Sequence, residues 1–126
     1  MWIDKQVLER CAEPLVCVAF VPSEVVVVCG ASNDPEVEVD LAACEADGVA
    51  ILKRAGGGGT VVLHPGCVVV SVGTWVKQAF ANKLYFGLLN DALITAIGTL
   101  PGWPANPPRA LAQDGLSDVV AGDRKV

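Results

Sequence analysis

A run of four glycines, residues 56–59, lies between two apolar stretches and constrains the fold more strongly than any other feature of the sequence. Consecutive glycines weaken a strand, because they provide no side chains to pack and gain entropy in the unfolded chain. The run therefore predicts a loop between two strands whose bare backbone a ligand can approach closely. Its spacing matches neither G-x-G-x-x-G nor a P-loop, and a strand follows where both motifs require a helix, so a Rossmann-type unit is disfavoured.

The rest of the sequence predicts strands with interspersed helices. Strands are predicted from runs rich in β-branched residues at 14–20, 24–29, 49–54, 60–63, 67–72 and 117–121. The first two runs are separated by a short segment containing Pro22, which predicts a strand pair joined by a turn. Helices are predicted near the N-terminus, at 37–46 with an end at Gly48, and at 82–97, where apolar residues recur at spacings of three and four. Since several connections are too short for a crossover, the pattern predicts an α/β or α+β domain with a mixed sheet.

At 126 residues the chain forms one domain at most, and its charge argues against two classes of partner. The formal net charge is -5 and the basic residues are mostly scattered, which disfavours binding to nucleic acid or to a membrane surface. No apolar run approaches the roughly 18–20 residues that cross a bilayer. The N-terminal residues mix charged and apolar side chains without the apolar stretch of a signal peptide, so we expect a cytoplasmic location.

The five cysteines do not form a pattern typical of metal binding. They are widely spaced, no C-x-x-C pair occurs, and the chain has a single histidine, so a zinc site is not expected. Free cysteine is among the most buried residue types, and most of these thiols are therefore predicted to be small core residues.

Two interpretations of the glycine run follow from the residues themselves. Successive amides without Cβ atoms can converge on an anion, and the neighbouring Arg54 can add a charge-assisted contact. The alternative is a loose glycine turn beside a solvated Lys-Arg pair. The local sequence leaves both open.

Two segments carry a family resemblance. KRAGGGGTVVLHPG resembles the R-R-x-x-G-G-G-x-V-x-H-D-x-G element of the lipoate-protein ligases, within the wider biotin and lipoate ligase family. GLSDVVAGDRKV resembles that family's G-R-N-D-hydrophobic-x-x-G-x-K element and likewise follows a long predicted helix. The resemblance spans nearly the whole chain. It implies a mixed sheet flanked by helices, similar to the class II synthetase and biotin-lipoate ligase fold, with residues 1–126 forming the N-terminal portion of the catalytic domain.

The resemblance also implies an activity and its partners. Such ligases join lipoate to ATP as lipoyl-AMP with loss of pyrophosphate, and Mg²⁺ is expected to accompany the ATP. They then pass the lipoyl group to a lysine of a carrier domain. The implied carriers are the lipoyl domains of 2-oxoacid dehydrogenases or the H protein of glycine cleavage.

Carried over by position, the resemblance assigns roles to individual residues. Arg54 is implied to contact the nucleotide phosphate, and Lys125 is implied to be the catalytic cation at the activated carboxyl and phosphate. A fixed positive charge suits that chemistry, because it stabilises the oxyanion that develops in both steps. Asp118 is implied to bind adenine or metal, although no carboxylate cluster marks a metal site. The residues implied to line the acyl adenylate are Gly57, Gly58, Gly59, Thr60, Val61 and Val62.

The sequence departs from the family's pattern at several positions. Leu63 and His64 stand where the family has histidine and aspartate, and Cys67 stands where it has asparagine. Leu116 and Ser117 replace the Arg-Asn pair of the second element. His64 is accordingly predicted to be a turn residue.

The family's domain continues beyond the lysine element, whereas this chain stops one residue after Lys125. The chain is therefore expected to be a fragment, or one part of a split enzyme that needs a second polypeptide. Two other functions stay open. One is an octanoyl or lipoyl transferase that works without ATP through a thiolate, for which Cys67 is the local candidate. The other is a non-catalytic protein that binds an acyl group or a lipoyl domain.

Overall fold

A computed structural model describes residues 3–10, 12–104 and 110–126, and the chain divides into two units, Met1–Trp75 and Val76–Val126. The helices and strands of the first unit are α1 (Ile3–Glu9), β1 (Leu15–Phe20), β2 (Val26–Cys29), α2 (Pro35–Glu38), α3 (Leu41–Ala46), β3 (Ala50–Lys53), β4 (Val61–Leu63) and β5 (Val69–Thr74). Those of the second unit are α4 (Asn82–Gly98), β6 (Leu111–Asp114), β7 (Asp118–Ala121) and β8 (Arg124–Lys125).

The strands of the first unit form two sheets. In one, β1 and β5 pair antiparallel, from Leu15 opposite Thr74 to Phe20 opposite Val69. In the other, β2 lies between β3 and β4, parallel to β3 and antiparallel to β4. The mixed strand directions, together with the helices, confirm the predicted fold class.

The predicted pairing of the runs at 14–20 and 24–29 is wrong, because β1 and β2 belong to different sheets. β1 has its most buried residue at Val16 between two exposed neighbours, and it pairs along its whole length with β5. β2 is buried at Val27, Val28 and Cys29, as expected for a central strand with a partner on each side. A continuous apolar run of this kind is better buried between two strands than in an isolated hairpin.

The core of the first unit forms where α1 packs against β1 and β5, and around the central strand β2. Val7 of α1 and Val16 of β1 are both buried. A Cβ at Gly73 of β5 would come within 2.4 Å of Val7 Cγ1, so the close approach of α1 requires glycine there. This packing fixes α1 beside the strands, and with it the carboxylate of Asp4.

The helix predicted at 37–46 is divided into α2 and α3 by an extended residue, Val39. Each short helix begins at an aspartate whose side chain accepts a backbone hydrogen bond. Asp34 accepts from the amide of Glu36, and Asp40 accepts from the amide of Ala43, both at 3.0 Å. The apolar pattern predicts a single helix in this segment, whereas the second capping aspartate, Asp40, starts a second helix. The predicted end is confirmed, since Gly48 follows α3 with φ +66.

The second unit contains the long helix and a three-stranded sheet. α4 confirms the helix predicted at 82–97, and β7 confirms the strand predicted at 117–121. β6, β7 and β8 form an antiparallel sheet in chain order. Asn90 of α4 is buried and donates through Nδ2 to the carbonyl of Ser117 at 3.1 Å, which ties the helix to the turn before β7. None of the helices in the described ranges is long and apolar enough to cross a membrane.

The cysteines differ in burial more than their sequence positions suggest. Of the four described cysteines only Cys29 is fully buried, so the prediction that most are core residues is wrong, and Cys17 is exposed on β1. Alternation along β1 explains the difference, because Cys17 follows the buried Val16 and points to the opposite face. Cys44 and Cys67 are half-buried. Cys11 lies outside the described residues.

Candidate functional site

The glycine loop, defined as residues 55–60, connects β3 to β4 and packs against the end of the central strand β2. The amide of Ala31 donates to the carbonyl of Gly56 at 3.0 Å. A Cβ at Gly30 would lie only 2.0 Å from the carbonyl oxygen of Gly58, so a glycine is required there as well. The predicted break between two strands is confirmed. The loop is supported by Gly30 and Ala31, which directly follow β2.

Arg54 holds the loop from within. Its Nη2 donates to the carbonyls of Gly57 at 2.8 Å and Gly59 at 2.9 Å, and its Nε also donates to Gly57 at 3.2 Å. Its Nη1 reaches the carbonyl of Val28 in β2 at 3.4 Å. The guanidinium thus satisfies the carbonyl acceptors of Gly57 and Gly59 and fixes the curvature of the loop. The contact between Arg54 and a nucleotide phosphate stays a prediction.

The glycines of the loop are required for different reasons. Gly58 has φ +96, and a Cβ there would come within 2.9 Å of Arg54 Nη2, so the backbone conformation itself favours glycine. Gly57 and Gly59 lack a positive φ, and a Cβ at either position would meet nothing within 4 Å. Neither conformation nor packing within the chain explains glycine at those two positions. Close approach of a ligand to this backbone, which would require glycine, stays a prediction.

The loop presents donors and few acceptors. The amide of Gly56 donates to Asp4 Oδ2 at 2.9 Å. Within the described residues, the amides of Gly57, Gly58 and Gly59 have no protein acceptor. These exposed amides, beside the paired carbonyls of Gly57 and Gly59, are donors that can bind an anion or a developing oxyanion.

A polar network closes the far end of the loop. Glu38 of α2 accepts hydrogen bonds from the hydroxyl of Thr60 and from Nδ2 of Asn33. Asn33 Nδ2 also lies 3.4 Å from Thr60 Oγ1. These two hydrogen bonds, that from Thr60 first, lower the pKa of the Glu38 carboxyl from its ordinary value, because they stabilise its charged form. Thr60 is one of the predicted site residues, whereas Asn33 and Glu38 were not predicted.

Val61 and Val62 follow the loop directly in β4. They pair with Val28 and Val27 of the central strand, and their side chains are 42% and 59% exposed. Both valines are thus partly exposed, on opposite faces of β4, and their lining of the acyl adenylate stays a prediction. The turn predicted at 64–66 is confirmed, since the amide of Cys67 donates to the carbonyl of His64 at 2.8 Å and that of Gly66 to His64 Nδ1 at 3.0 Å.

An open cavity of about 430 Å³ adjoins the start of the glycine loop. It lies between α1, Ala55–Gly56 and β5, and Val7, Leu8 and Val72 make much of its wall apolar. Asp4 contributes a carboxylate to this wall. The cavity thus offers an apolar space beside the start of the glycine loop.

In the second unit, the structure brings together the two predicted residues of the second motif. Lys125 of β8 and Asp118 of β7 form an ion pair, with 2.8 Å between Nζ and Oδ1. Antiparallel pairing of β7 with β8 places them on adjacent strands. Their side chains are 67% and 47% exposed, so the ammonium is accessible to an anionic ligand. The aspartate is well placed to orient it.

Four supporting residues of the site, Asp4, Gly30, Asn33 and Glu38, were not predicted from the sequence. Their contacts to the loop join residues that are 22 or more positions apart, as between Glu38 and Thr60. The sequence gives only an indirect indication of them, in a glycine directly after a buried strand and polar residues before the next helix. No three His, Cys, Asp or Glu side chains come together as a metal site in the part of the chain that the structure describes.

Comparison with known proteins identifies the family. The family model of the lipoyl protein ligase A/B catalytic domain matches residues 1–126. The chain belongs to this family. The match confirms the resemblance carried by the glycine and lysine motifs. Among curated protein sequences, none matches the chain.

Solved lipoate-ligase structures share the fold of this lipoyl protein ligase family member. A lipoate protein ligase from T. acidophilum with bound lipoic acid matches 95% of this chain at 21% identity, with a TM-score of 0.71. Lipoate-protein ligase A bound with ATP matches 98% at 19% identity and a TM-score of 0.68. The bipartite T. acidophilum ligase, solved in a study of its E2 lipoyl domain, matches 97% at 17% identity and a TM-score of 0.75.

The chain spans about half the length of these structures, with 52%, 51% and 45% of each covered. At these identities the likeness establishes the fold. The family membership and the fold together identify a lipoate-protein ligase-like catalytic domain.

Proposed function

We propose that the chain forms the part of a lipoate-protein ligase that binds and activates lipoate. The proposed reaction is the ATP-dependent conversion of lipoate to lipoyl-AMP, followed by transfer to a lysine of a lipoyl carrier domain. The proposal rests on the hydrogen bonding of the glycine loop. The carbonyls of Gly57 and Gly59 are paired with Arg54, the amides at 57–59 have no protein acceptor among the described residues, and glycine at 57 and 59 is not required by the fold.

The residues of the loop provide two functions in the proposed reaction. The amides of Gly57–Gly59 donate to oxygen atoms that gain negative charge when the lipoate carboxylate attacks the α-phosphate and when the lysine amine attacks the acyl carbon. Arg54 keeps the neighbouring carbonyls away from the same charge by pairing with them. The donors therefore need no reorganisation as charge develops.

Lys125 is the positive group that the second unit contributes to the proposed reaction. Its ammonium neutralises the phosphate and the activated carboxyl, while Asp118 orients it through the 2.8 Å ion pair. The apolar cavity beside the loop is suited to the hydrocarbon part of a lipoyl group, because burial of apolar surface there is favourable.

Several partners belong to the same proposal. In the described residues no carboxylate cluster can hold a metal, so Mg²⁺ would arrive bound to the phosphates of ATP. The bipartite T. acidophilum ligase, which matches 97% of this chain, supports a second polypeptide that completes the domain and a lipoyl domain as acceptor. The lipoyl domains of 2-oxoacid dehydrogenases or the glycine cleavage H protein would accept the lipoyl group in the cytoplasm.

The proposed function is tested by lipoate-dependent exchange of labelled pyrophosphate into ATP, with and without a complementing C-terminal chain. We expect exchange in the wild type and a loss of about 100-fold in Lys125→Ala. Arg124→Ala, which removes the preceding exposed cation, serves as the control and should retain activity. Absence of exchange under both conditions would contradict the ligase. A covalent acyl-enzyme on Cys67, seen by mass spectrometry without ATP, would instead support the transferase, and binding without turnover would support a non-catalytic protein.

A further inference from the structure

Each end of the glycine loop is held by a carboxylate from a different helix. At the start, Asp4 of α1 accepts a hydrogen bond from the amide of Gly56. At the end, Glu38 of α2 accepts from the hydroxyl of Thr60. We propose that Asp4 and Glu38 are positioning residues that fix the loop in its ligand-binding arrangement, a role that rests on the function proposed above.

The hydrogen bonding of Asp4 indicates that its role is at the glycine loop. Oδ2 pairs with Gly56 at 2.9 Å, but Oδ1 is buried and has no hydrogen-bond partner in the described part of the chain. A buried carboxylate oxygen without a donor costs stability, so aspartate is a poor choice if the position serves the fold alone. Its one protein hydrogen bond joins α1 to a loop 52 positions away in the sequence.

Glu38 holds the other end through two donors. The Thr60 hydroxyl and Asn33 Nδ2 both donate to its carboxylate, so the glutamate ties the end of the loop to the segment that follows β2. Glu38 itself is exposed, and its contacts therefore contribute little to the core. Their effect is local, because they fix the residue at which the loop enters β4.

The hydrogen bonds to Asp4 and Glu38 matter because the backbone between the two ends of the loop has few packing constraints. Gly57 and Gly59 have no contact that a Cβ would disturb, and glycine samples more backbone conformations than any other residue. Arg54 braces the carbonyls of these two residues, while the carboxylates fix the flanking positions. Donors that are fixed before binding avoid an ordering cost when the ligand arrives.

The first test is amide hydrogen exchange of the loop, measured by NMR on the protein without ligand. In the wild type, we expect the amide of Gly56 to exchange at least about fivefold more slowly than those of Gly57 and Gly59. Asp4→Ala should remove that difference, whereas Asp4→Asn keeps an acceptor and should restore it. Glu9→Ala, which removes an exposed carboxylate from the same helix, is the charge-matched control.

The second test examines the hydrogen bond between Glu38 and Thr60. Glu38→Ala and the isosteric Thr60→Val should each lower kcat/KM for lipoate-dependent pyrophosphate exchange by about tenfold, mainly through a higher KM. The double variant should be no worse than Glu38→Ala, because Thr60→Val removes only a hydrogen bond that Glu38→Ala already lacks. Glu36→Ala on the same helix should match the wild type. A fall in kcat at unchanged KM that is matched by an equal loss of folded protein, measured by circular dichroism, would overturn the positioning role, as would fully additive effects.

The two tests separate this inference from the proposed function. If the wild type catalyses no pyrophosphate exchange, the proposed function fails, while the amide measurement still decides whether Asp4 fixes the loop. Equal exchange rates at Gly56 and Gly57 in the wild type would overturn the Asp4 anchor even if Asp4→Ala does not fold. Slower exchange at Gly56 that depends on Asp4 would support it.

Discussion

Substitution of Gly30 by alanine tests the support of the glycine loop most sharply. Gly30 is buried at the end of β2, and its φ is not positive, so alanine introduces no backbone strain of its own. The added Cβ would lie 2.0 Å from the carbonyl oxygen of Gly58 and 2.7 Å from Asn33 Oδ1. The perturbation is therefore one methyl group pressed against the backbone of the loop.

The expected magnitude follows from these distances. A relaxed contact between carbon and oxygen needs about 3.3 Å, so the Gly58 carbonyl must move by roughly 1.3 Å. Overpacking of this kind costs about 1–3 kcal/mol, and loss of the hydrogen bond from Ala31 to Gly56 adds about 1 kcal/mol. We expect the free energy of unfolding of the first unit to fall by about 2–4 kcal/mol in Gly30→Ala. A shift of about 1 Å in the binding groups should lower pyrophosphate exchange by about 100-fold.

Urea unfolding followed by circular dichroism, combined with the exchange assay, checks both values. Gly57→Ala is the matched control, because a Cβ at Gly57 meets nothing within 4 Å. That variant should keep the wild-type stability or gain about 0.4–1 kcal/mol from a less flexible unfolded chain, yet bind ligand more weakly. Wild-type stability and activity in Gly30→Ala would refute the packing of the loop against β2.

Three further predictions concern single side chains. Arg54→Lys should lower stability by about 1 kcal/mol in urea unfolding, because one ammonium cannot replace the guanidinium contacts to two loop carbonyls. The pKa of Glu38 is lowered from 4.5, so its stabilising effect should be complete above about pH 4.5 and disappear as the pH falls through the folded-state pKa. The Thr60 amide shift should titrate in that range in the wild type and not in Glu38→Gln. Cys17 should react with a thiol reagent in the native protein, whereas the fully buried Cys29 should react only after unfolding.

Local features of the fold could be predicted from the sequence. The repeat of apolar residues gave α4 to within one residue, and the glycine run gave the break between β3 and β4. Strand partners could not be predicted, because pairing such as that of β1 with β5 joins residues 49 to 59 positions apart. The short strands β6 and β8 were missed, since Leu111–Asp114 and Arg124–Lys125 have little β-branched content.

In the candidate site too, residues within a sequence motif could be predicted, whereas residues that act through long-range contacts could not. Arg54 and the glycines could be named from their motif, because they are neighbours in the sequence. Asp4, Asn33 and Glu38 could not, since each acts through a contact that only the fold creates. The motif also did not reveal that Arg54 pairs with the loop's own carbonyls.

The central claim is that binding of the activated acyl group depends on the glycine-loop amides and on the Lys125 ammonium. Calorimetry with a hydrolysis-resistant lipoyl adenylate analogue tests this claim most directly, on the wild type and on Gly57→Ala, Lys125→Ala and Arg124→Ala. The account predicts that Gly57→Ala and Lys125→Ala each weaken binding by at least about tenfold, while Arg124→Ala changes it little. Wild-type affinity in Gly57→Ala or in Lys125→Ala would contradict it.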